Sequence, residues 1–228
     1  MKARILLAEN RGVTTFKGFD SYHYFNFGKY RMEGREPFGE FLAVNLDVLS
    51  PEISFEIDID SPREIILIPI AGGIEITLSN EGDPYYISTG EVVSLSGQVG
   101  STVRIANPYP DERVMLLQVW LKYTSPDHDR SPVTGNFNFE LKNELLPVFL
   151  SRSDKTKACI ARMDLREEGL YRPERPDSDL LVITIAGAFE FQERLLQPGD
   201  GLILQEPGME IEFEALSQDA IVLLMETS

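Results

Sequence analysis

The chain is dominated by short apolar runs that alternate with turn-forming residues. These runs are rich in β-branched and aromatic side chains and are bounded by Gly, Pro, Asn and Asp. They occupy residues 41–44, 53–59, 64–70, 74–78, 91–95, 103–105, 114–121, 180–185, 188–191, 201–204, 211–213 and 220–225. Spacings of about ten residues with turns between them are typical of an all-β sandwich or barrel. Helical periodicity is scarce, and residues 138–146, the best candidate, could equally be an irregular connector.

The two halves of the chain repeat one another. The segment Ile-Pro-Ile-Ala-Gly-Gly-Ile-Glu-Ile at 68–76 resembles Ile-Thr-Ile-Ala-Gly-Ala-Phe-Glu-Phe at 183–191. In both segments a glycine, Gly72 or Gly187, is expected to supply positive φ in the turn between two strands. Self-similarity at this scale predicts two copies of one β domain.

A polar segment separates the two repeats. Residues 125–132 carry prolines near both ends and no apolar period, which is typical of a linker. We therefore predict a first domain at 1–124, a linker at 125–136 and a second domain at 137–228.

Several motifs, taken in order, resemble one known family over nearly the whole chain. They are Arg11-Gly12, Ser-Tyr-His-Tyr-Phe-Asn-Phe-Gly-Lys-Tyr at 21–30, Phe38-Gly39, Val-Asn-Leu-Asp at 44–47, the strand from Glu64 to Gly72, Gln-Val-Trp-Leu at 118–121 and Leu-Gln-Pro-Gly-Asp-Gly at 196–201. The chain resembles the pirin-like bicupins, which include the bacterial pirin-related quercetinases. The resemblance implies an all-β fold of two tandem cupin barrels, each a double-stranded β-helix of the jelly-roll type.

The same resemblance implies a metal site in the first barrel, and this chain departs from it. The family holds iron or another divalent metal with a His-x-His pair, a third His and a Glu, which leaves positions open for oxygen or substrate. Asp58, Asp60, Val103 and Ile105 stand at these four ligand positions. Val103 and Ile105 have no metal-ligating atom, so we expect no metal cofactor.

The histidine content leads to the same expectation. The chain has two histidines, so a three-histidine site cannot be built within it. His23 lies in the aromatic motif and is expected to be a hydrogen-bonded structural residue. His128 lies in the predicted linker, where a solvated side chain is expected.

A hard cation bound by oxygen ligands is the alternative. Residues 55–60 alternate apolar and acidic side chains, so burial of the isoleucines would turn the acids to water. The family's register would instead aim Asp58 and Asp60 at a cavity walled by Val103 and Ile105, and a bulge or a one-residue slip could reverse the strand. The candidate pocket is thus Asp58, Asp60, Glu64, Val103 and Ile105, with a divalent metal at Asp58 and Asp60 as the alternative cofactor.

Composition limits the partners. The formal charge of −16 disfavours binding to phosphate backbones, so no nucleic-acid partner is expected. No apolar run is long enough to span a bilayer, and the N-terminal apolar run is too short for a signal peptide, so no membrane partner is expected. The single cysteine, Cys159, fits a reducing compartment and predicts a cytoplasmic protein.

The thiol of Cys159 is expected to be buried and inert, with redox sensitivity as the alternative. Open sheet edges leave a monomer or a homodimer.

Two functions follow from these observations. The first is a metal-free bicupin that binds a small molecule or a protein in a non-enzymatic or regulatory role, with no catalytic residue. The alternative, implied by the resemblance, is a metal-dependent oxygenase like quercetin 2,3-dioxygenase. Because fold alone does not carry function, we weight the first more heavily.

Overall fold

The protein consists of two compact β units. The computed structural model describes residues 2–79, 83–122, 131–175 and 177–228. The first unit is Gly12–Asn136, and the second unit combines Met1–Arg11 with Phe137–Ser228. Within the described ranges the helical structure is one short 3-10 helix, Ala8–Asn10. None of the described residues form a helix with the length and hydropathy that a bilayer crossing requires.

Strands follow one another along almost the whole described chain. Those up to residue 122 are β1 (Lys2–Leu6), β2 (Gly12–Phe16), β3 (Phe19–His23), β4 (Phe41–Leu49), β5 (Ser54–Asp58), β6 (Arg63–Ala71), β7 (Gly73–Leu78), β8 (Tyr85–Ser88), β9 (Glu91–Gly97), β10 (Thr102–Ala106) and β11 (Val114–Lys122). Those after residue 130 are β12 (Val133–Asn136), β13 (Leu146–Leu150), β14 (Thr156–Met163), β15 (Glu168–Tyr171), β16 (Asp179–Ala186), β17 (Phe189–Phe191), β18 (Arg194–Leu196), β19 (Gly201–Gln205), β20 (Ile211–Ala215) and β21 (Ala220–Thr227).

The predicted all-β fold class is confirmed. Every predicted apolar run overlaps a strand, and the candidate helix at 138–146 is an irregular connector that leads into β13. Both turn glycines have the expected backbone, with φ of 76° at Gly72 and 69° at Gly187. Strands without a clear buried face escaped the prediction, as in β1 and β2, where four of the five residues are exposed.

Each unit contains a large and a small sheet, and the two units share one topology. The large sheets run β12-β9-β6-β11-β4-β3-β2 and β1-β19-β16-β21-β14-β13. The small sheets run β5-β10-β7-β8 and β15-β20-β17-β18. The order β9-β6-β11-β4-β3 in the first large sheet corresponds to β19-β16-β21-β14-β13 in the second, and the small sheets correspond strand by strand in the same way. The internal repeat seen in the sequence is therefore a repeat of strand order.

The domain boundaries differ from the predicted ones at both ends of the first barrel. The predicted first domain, 1–124, included the N-terminal strand, but β1 pairs antiparallel with β19 of the second unit. The predicted linker, 125–136, ends in β12, which pairs with β9. Residues 125–130 lie outside the described ranges. An edge strand joins a sheet through backbone hydrogen bonds to its neighbour, and that neighbour can lie far away in sequence. β1 and β12 occupy the same edge position in the two large sheets.

Each unit has its own apolar core. In the first unit the core includes Ile57 and Ile59 of the β5 segment together with Val103 and Ile105 of β10. In the second unit it is built around Phe189, Phe191 and Phe213, and the rings of Phe191 and Phe213 stack with centroids 4.7 Å apart. Three phenylalanine rings thus pack together within a core that is otherwise largely aliphatic.

Candidate functional site

The structure does not bring the five predicted pocket residues together. Val103 and Ile105 are buried in the core of the first unit. Asp58 is exposed and accepts a hydrogen bond from Thr102 Oγ1 at 3.1 Å, whereas Asp60, with 83% of its side chain exposed, pairs with Arg63. Burial of Ile57 and Ile59 therefore orients residues 54–60, which we call the β5 segment. Its acids lie on the solvent side, with Asp58 at the rim of the cavity described below.

Glu64 lies elsewhere. It is buried in β6 and accepts a hydrogen bond from Ser94 Oγ at 2.6 Å. The family's four ligand positions thus hold two outward-facing carboxylates and two buried hydrocarbon side chains, and this donor set does not fit a transition metal. Among the described residues no three His, Cys, Asp or Glu side chains are grouped so that they could hold a metal ion.

A cavity opens beside these positions, between β5 and the large sheet of the first unit. Its volume is about 280 Å³, at the small end of the range for ligand pockets. We call it the aromatic cavity. It is lined by Thr14, Phe19, Ser21, His23, Phe27, Asn45, Phe55, Glu56, Ile57, Asp58, Gln118 and Trp120.

Four of the five apolar residues in the described wall are aromatic. Phe19 and Phe55 stack with centroids 4.3 Å apart, and Phe27 meets Trp120 edge-on at 5.0 Å. Phe19, Phe27 and Phe55 are half-buried, so their rings present partly open faces. Such a wall is suited to a flat or compact apolar group.

His23 forms one polar edge of the aromatic cavity. Asn45 Oδ1 lies 2.9 Å from Nδ1, and Thr14 Oγ1 lies 2.9 Å from Nε2. With Asn45 accepting, Nδ1 carries the proton and Nε2 accepts from the Thr14 hydroxyl. Burial lowers the pKa of His23 and the hydrogen bond to Asn45 raises it, with burial the larger effect, so the ring is neutral at pH 7. Both ring nitrogens are thus engaged, as expected for a structural histidine.

A second polar chain runs behind the cavity through β11 and β4. Trp120 Nε1 donates to Gln118 Oε1 at 3.1 Å, and Gln118 Nε2 donates to Asp47 Oδ2. Burial raises the pKa of Asp47 to about 7, against the opposing effect of hydrogen bonds from Ser21 and Gln118.

The remaining singled-out residues lie away from the aromatic cavity. Cys159 is a free, half-buried thiol of β14 that packs against the core of the second unit. Burial raises its pKa; Lys157 opposes that shift and Glu226 adds to it, so little thiolate is present at neutral pH. His128 lies outside the described residues.

Sequence reasoning named the segments that carry Asn45, Asp47, Gln118 and Trp120 but gave these residues no role in a site. A signal was present. Asn45 and Asp47 interrupt the otherwise apolar β4 at alternate positions, and Gln118 does the same in β11. Polar residues on the inward face of a buried strand require partners, and such partners mark a site.

Comparison with known proteins supports the fold. No protein-family model and no curated protein sequence matches the chain. The structure of YhhW from Escherichia coli matches with a TM-score of 0.81 at 20% identity, over 100% of this chain and 98% of that one. Bacterial pirin YhhW from Escherichia coli in complex with nickel(II) matches with a TM-score of 0.83 at 19% identity, over 99% of both chains.

A quercetinase structure has a similar fold. Quercetin 2,3-dioxygenase from Acinetobacter baumannii matches with a TM-score of 0.70 at 15% identity, over 99% of this chain and 79% of that one. These identities establish the fold and leave the activity open. The matched architecture, the repeated strand order and the motif series agree with one another. The chain therefore has the fold of the pirin-like bicupins, with two cupin barrels in succession.

Proposed function

We propose that the first unit is a small-molecule binding module that works without a metal, in a non-enzymatic or regulatory role. The observation that carries the proposal is the aromatic cavity itself, which combines four aromatic rings with a prepared polar edge. Convergent polar groups in an apolar concave site are the usual signature of a ligand pocket.

The neighbouring residues support a metal-free role. The positions that hold metal ligands in the family carry Val103 and Ile105 in the core, and Asp60 is engaged with Arg63. For His23 to ligate a metal, it would have to break a hydrogen bond to Thr14 or Asn45. The competing function, metal-dependent oxygenation of a flavonol, rests on the fold shared with quercetin 2,3-dioxygenase.

Metal content and ligand binding test the proposal together. Purified protein is loaded with nickel or iron, desalted and analysed for metal, and then assayed for quercetin cleavage. We expect substoichiometric metal and no cleavage. Stoichiometric metal that is lost in Asp58→Ala or Asp60→Ala, or cleavage that depends on it, would establish the oxygenase instead.

Binding is measured through Trp120. It is the only tryptophan of the chain and it lines the aromatic cavity, so all tryptophan fluorescence reports this site. A panel of small cationic, neutral and anionic aliphatic and aromatic compounds is titrated. At least one member should change the signal saturably, and Phe55→Ala should weaken it. Phe16→Ala is the matched control, because Phe16 is 63% exposed and lies outside the cavity wall.

A further inference from the structure

The charged residues that line the aromatic cavity are acidic. Among the described residues that line it, the ionisable side chains are His23, Glu56 and Asp58. Burial keeps His23 neutral at pH 7, because the neutral ring is the form that tolerates loss of water. No lysine or arginine is found among the described residues of this wall. The rim is therefore anionic, and the interior is neutral.

One cation lies on the strand next to the rim. Arg104 is opposite Glu56 in the β5–β10 ladder, and it keeps its positive charge while its Nη2 donates to Ser54 Oγ at 3.0 Å. The hydrogen bond that Asp58 accepts from Thr102 leaves the carboxylate charge in place. Asp58 therefore acts on the cavity mouth as a negative charge, whereas Arg104 offsets part of the charge of Glu56.

The walls offer a second attraction of the same sign. An aromatic face attracts a cation within about 6 Å of the ring centroid, and tryptophan is the strongest case. On Trp120 that position is already taken, because the guanidinium carbon of Arg63 lies 4.7 Å from the ring centroid. The rings that remain for a ligand cation are those of Phe19, Phe27 and Phe55.

We propose that the aromatic cavity takes a small organic cation of the quaternary-ammonium type, with its charge between the aromatic rings and the carboxylates of Glu56 and Asp58. The inference rests on the proposed binding function and names its ligand class. Aromatic rings with flanking carboxylates attract such ions, because a quaternary ammonium group is large and weakly hydrated. The net charge of −16 favours the same sign of ligand.

A charged ligand and its uncharged shape mimic test the inference. Choline and 3,3-dimethylbutan-1-ol, in which carbon replaces the ammonium nitrogen, are titrated against the full chain by Trp120 fluorescence. We expect choline to bind at least about tenfold more tightly than the alcohol. Equal or tighter binding of the alcohol would overturn the cation inference and leave the binding function intact.

Charge-neutralising variants locate the effect. Glu56→Gln and Asp58→Asn should each weaken choline binding several-fold and leave binding of the alcohol unchanged. Asp111→Asn is the matched control, because it removes an equal charge from an exposed residue outside the cavity wall. An equal loss of choline affinity in all three variants would show that the net charge of the protein causes the effect, and it would contradict a local cation site. If neither choline nor any other member of the panel changes the Trp120 signal, the binding function fails with it.

Discussion

Asp47 is a carboxyl group without access to solvent, in a strand that is otherwise almost entirely apolar. Gln118 donates to one of its oxygens, and burial raises its pKa to about 7. In the unfolded chain the same group has an ordinary pKa near 3.9. Between these values the folded state holds a proton that the unfolded state has lost, so this group makes the protein less stable as pH rises.

The variant Asp47→Asn tests this linkage. Asparagine keeps the shape and an oxygen acceptor for Gln118 but carries no charge at any pH. Between about pH 5 and about pH 8 the stability of the variant relative to the parent should rise by about 3 kcal/mol, the cost of two pH units of proton binding. Urea denaturation followed by Trp120 fluorescence at both pH values measures the difference.

Asp111→Asn, which removes an exposed carboxylate, is the control for the loss of one charge. A pH-independent difference for Asp47→Asn would mean that Asp47 ionises normally in the folded protein.

At the level of elements, β15 depends on a residue without a side chain. Gly169 lies opposite Phe213 in the small sheet of the second unit. A methyl group at Gly169 would stand 2.2 Å from Phe213 Cζ, and the ring is itself stacked on Phe191. The absence of a side chain at Gly169 therefore leaves room for the Phe213 ring in the core.

Gly169→Ala should destabilise the second unit by about 1–3 kcal/mol, because the stacked ring must move off its position. Thermal unfolding followed by circular dichroism measures this change. Leu195→Ala in the same sheet removes a side chain that is 55% exposed and should cost less than about 1 kcal/mol. Equal effects of the two substitutions would contradict the packing argument.

The N-terminal strand β1 covers the edge of the large sheet in the second unit. β1 pairs with β19 along five residues, and Ala8 N donates to Asp200 Oδ1 at 2.7 Å just beyond it. Without β1 the backbone groups of β19 would face solvent on one side.

Deletion of residues 2–6 should therefore raise amide hydrogen exchange in residues 201–205, because these amides lose their cover or their partners. β9, residues 91–97, is the internal control, since its partners are β6 and β12. Unchanged protection of residues 201–205 in the shortened chain would show that β1 is not needed to hold that edge.

Strand prediction succeeded where one face of a strand is buried and failed where neither face is. The β5 segment and β10 alternate buried and exposed residues, so their positions follow from the sequence. β1 is exposed at four of its five positions, and backbone hydrogen bonds to β19 define it. Backbone pairing leaves little trace in side-chain pattern, which explains both the missed strands and the misplaced domain boundary.

At the scale of the whole molecule, the formal charge of −16 sets a long-range field. The Debye length falls from about 30 Å at 0.01 M salt to about 3 Å at 1 M. Choline affinity should fall several-fold over that range, whereas binding of the uncharged alcohol should hold steady or strengthen as salt favours apolar burial. Isothermal titration calorimetry at the two ionic strengths checks the difference, and parallel behaviour of both ligands would contradict an electrostatic contribution.

By itself, the sequence determined the all-β class, the repeat and the series of motifs that matches the pirin-like bicupin fold, because alternation and turn glycines act over a few residues. It also excluded a three-histidine metal site by simple count. Only the tertiary structure decided that β1 belongs to the second unit and that Phe19, His23, Phe55 and Trp120 share one cavity. These residues come from three segments that lie far apart along the chain, and their meeting depends on which strand edges pair and which faces close over one another.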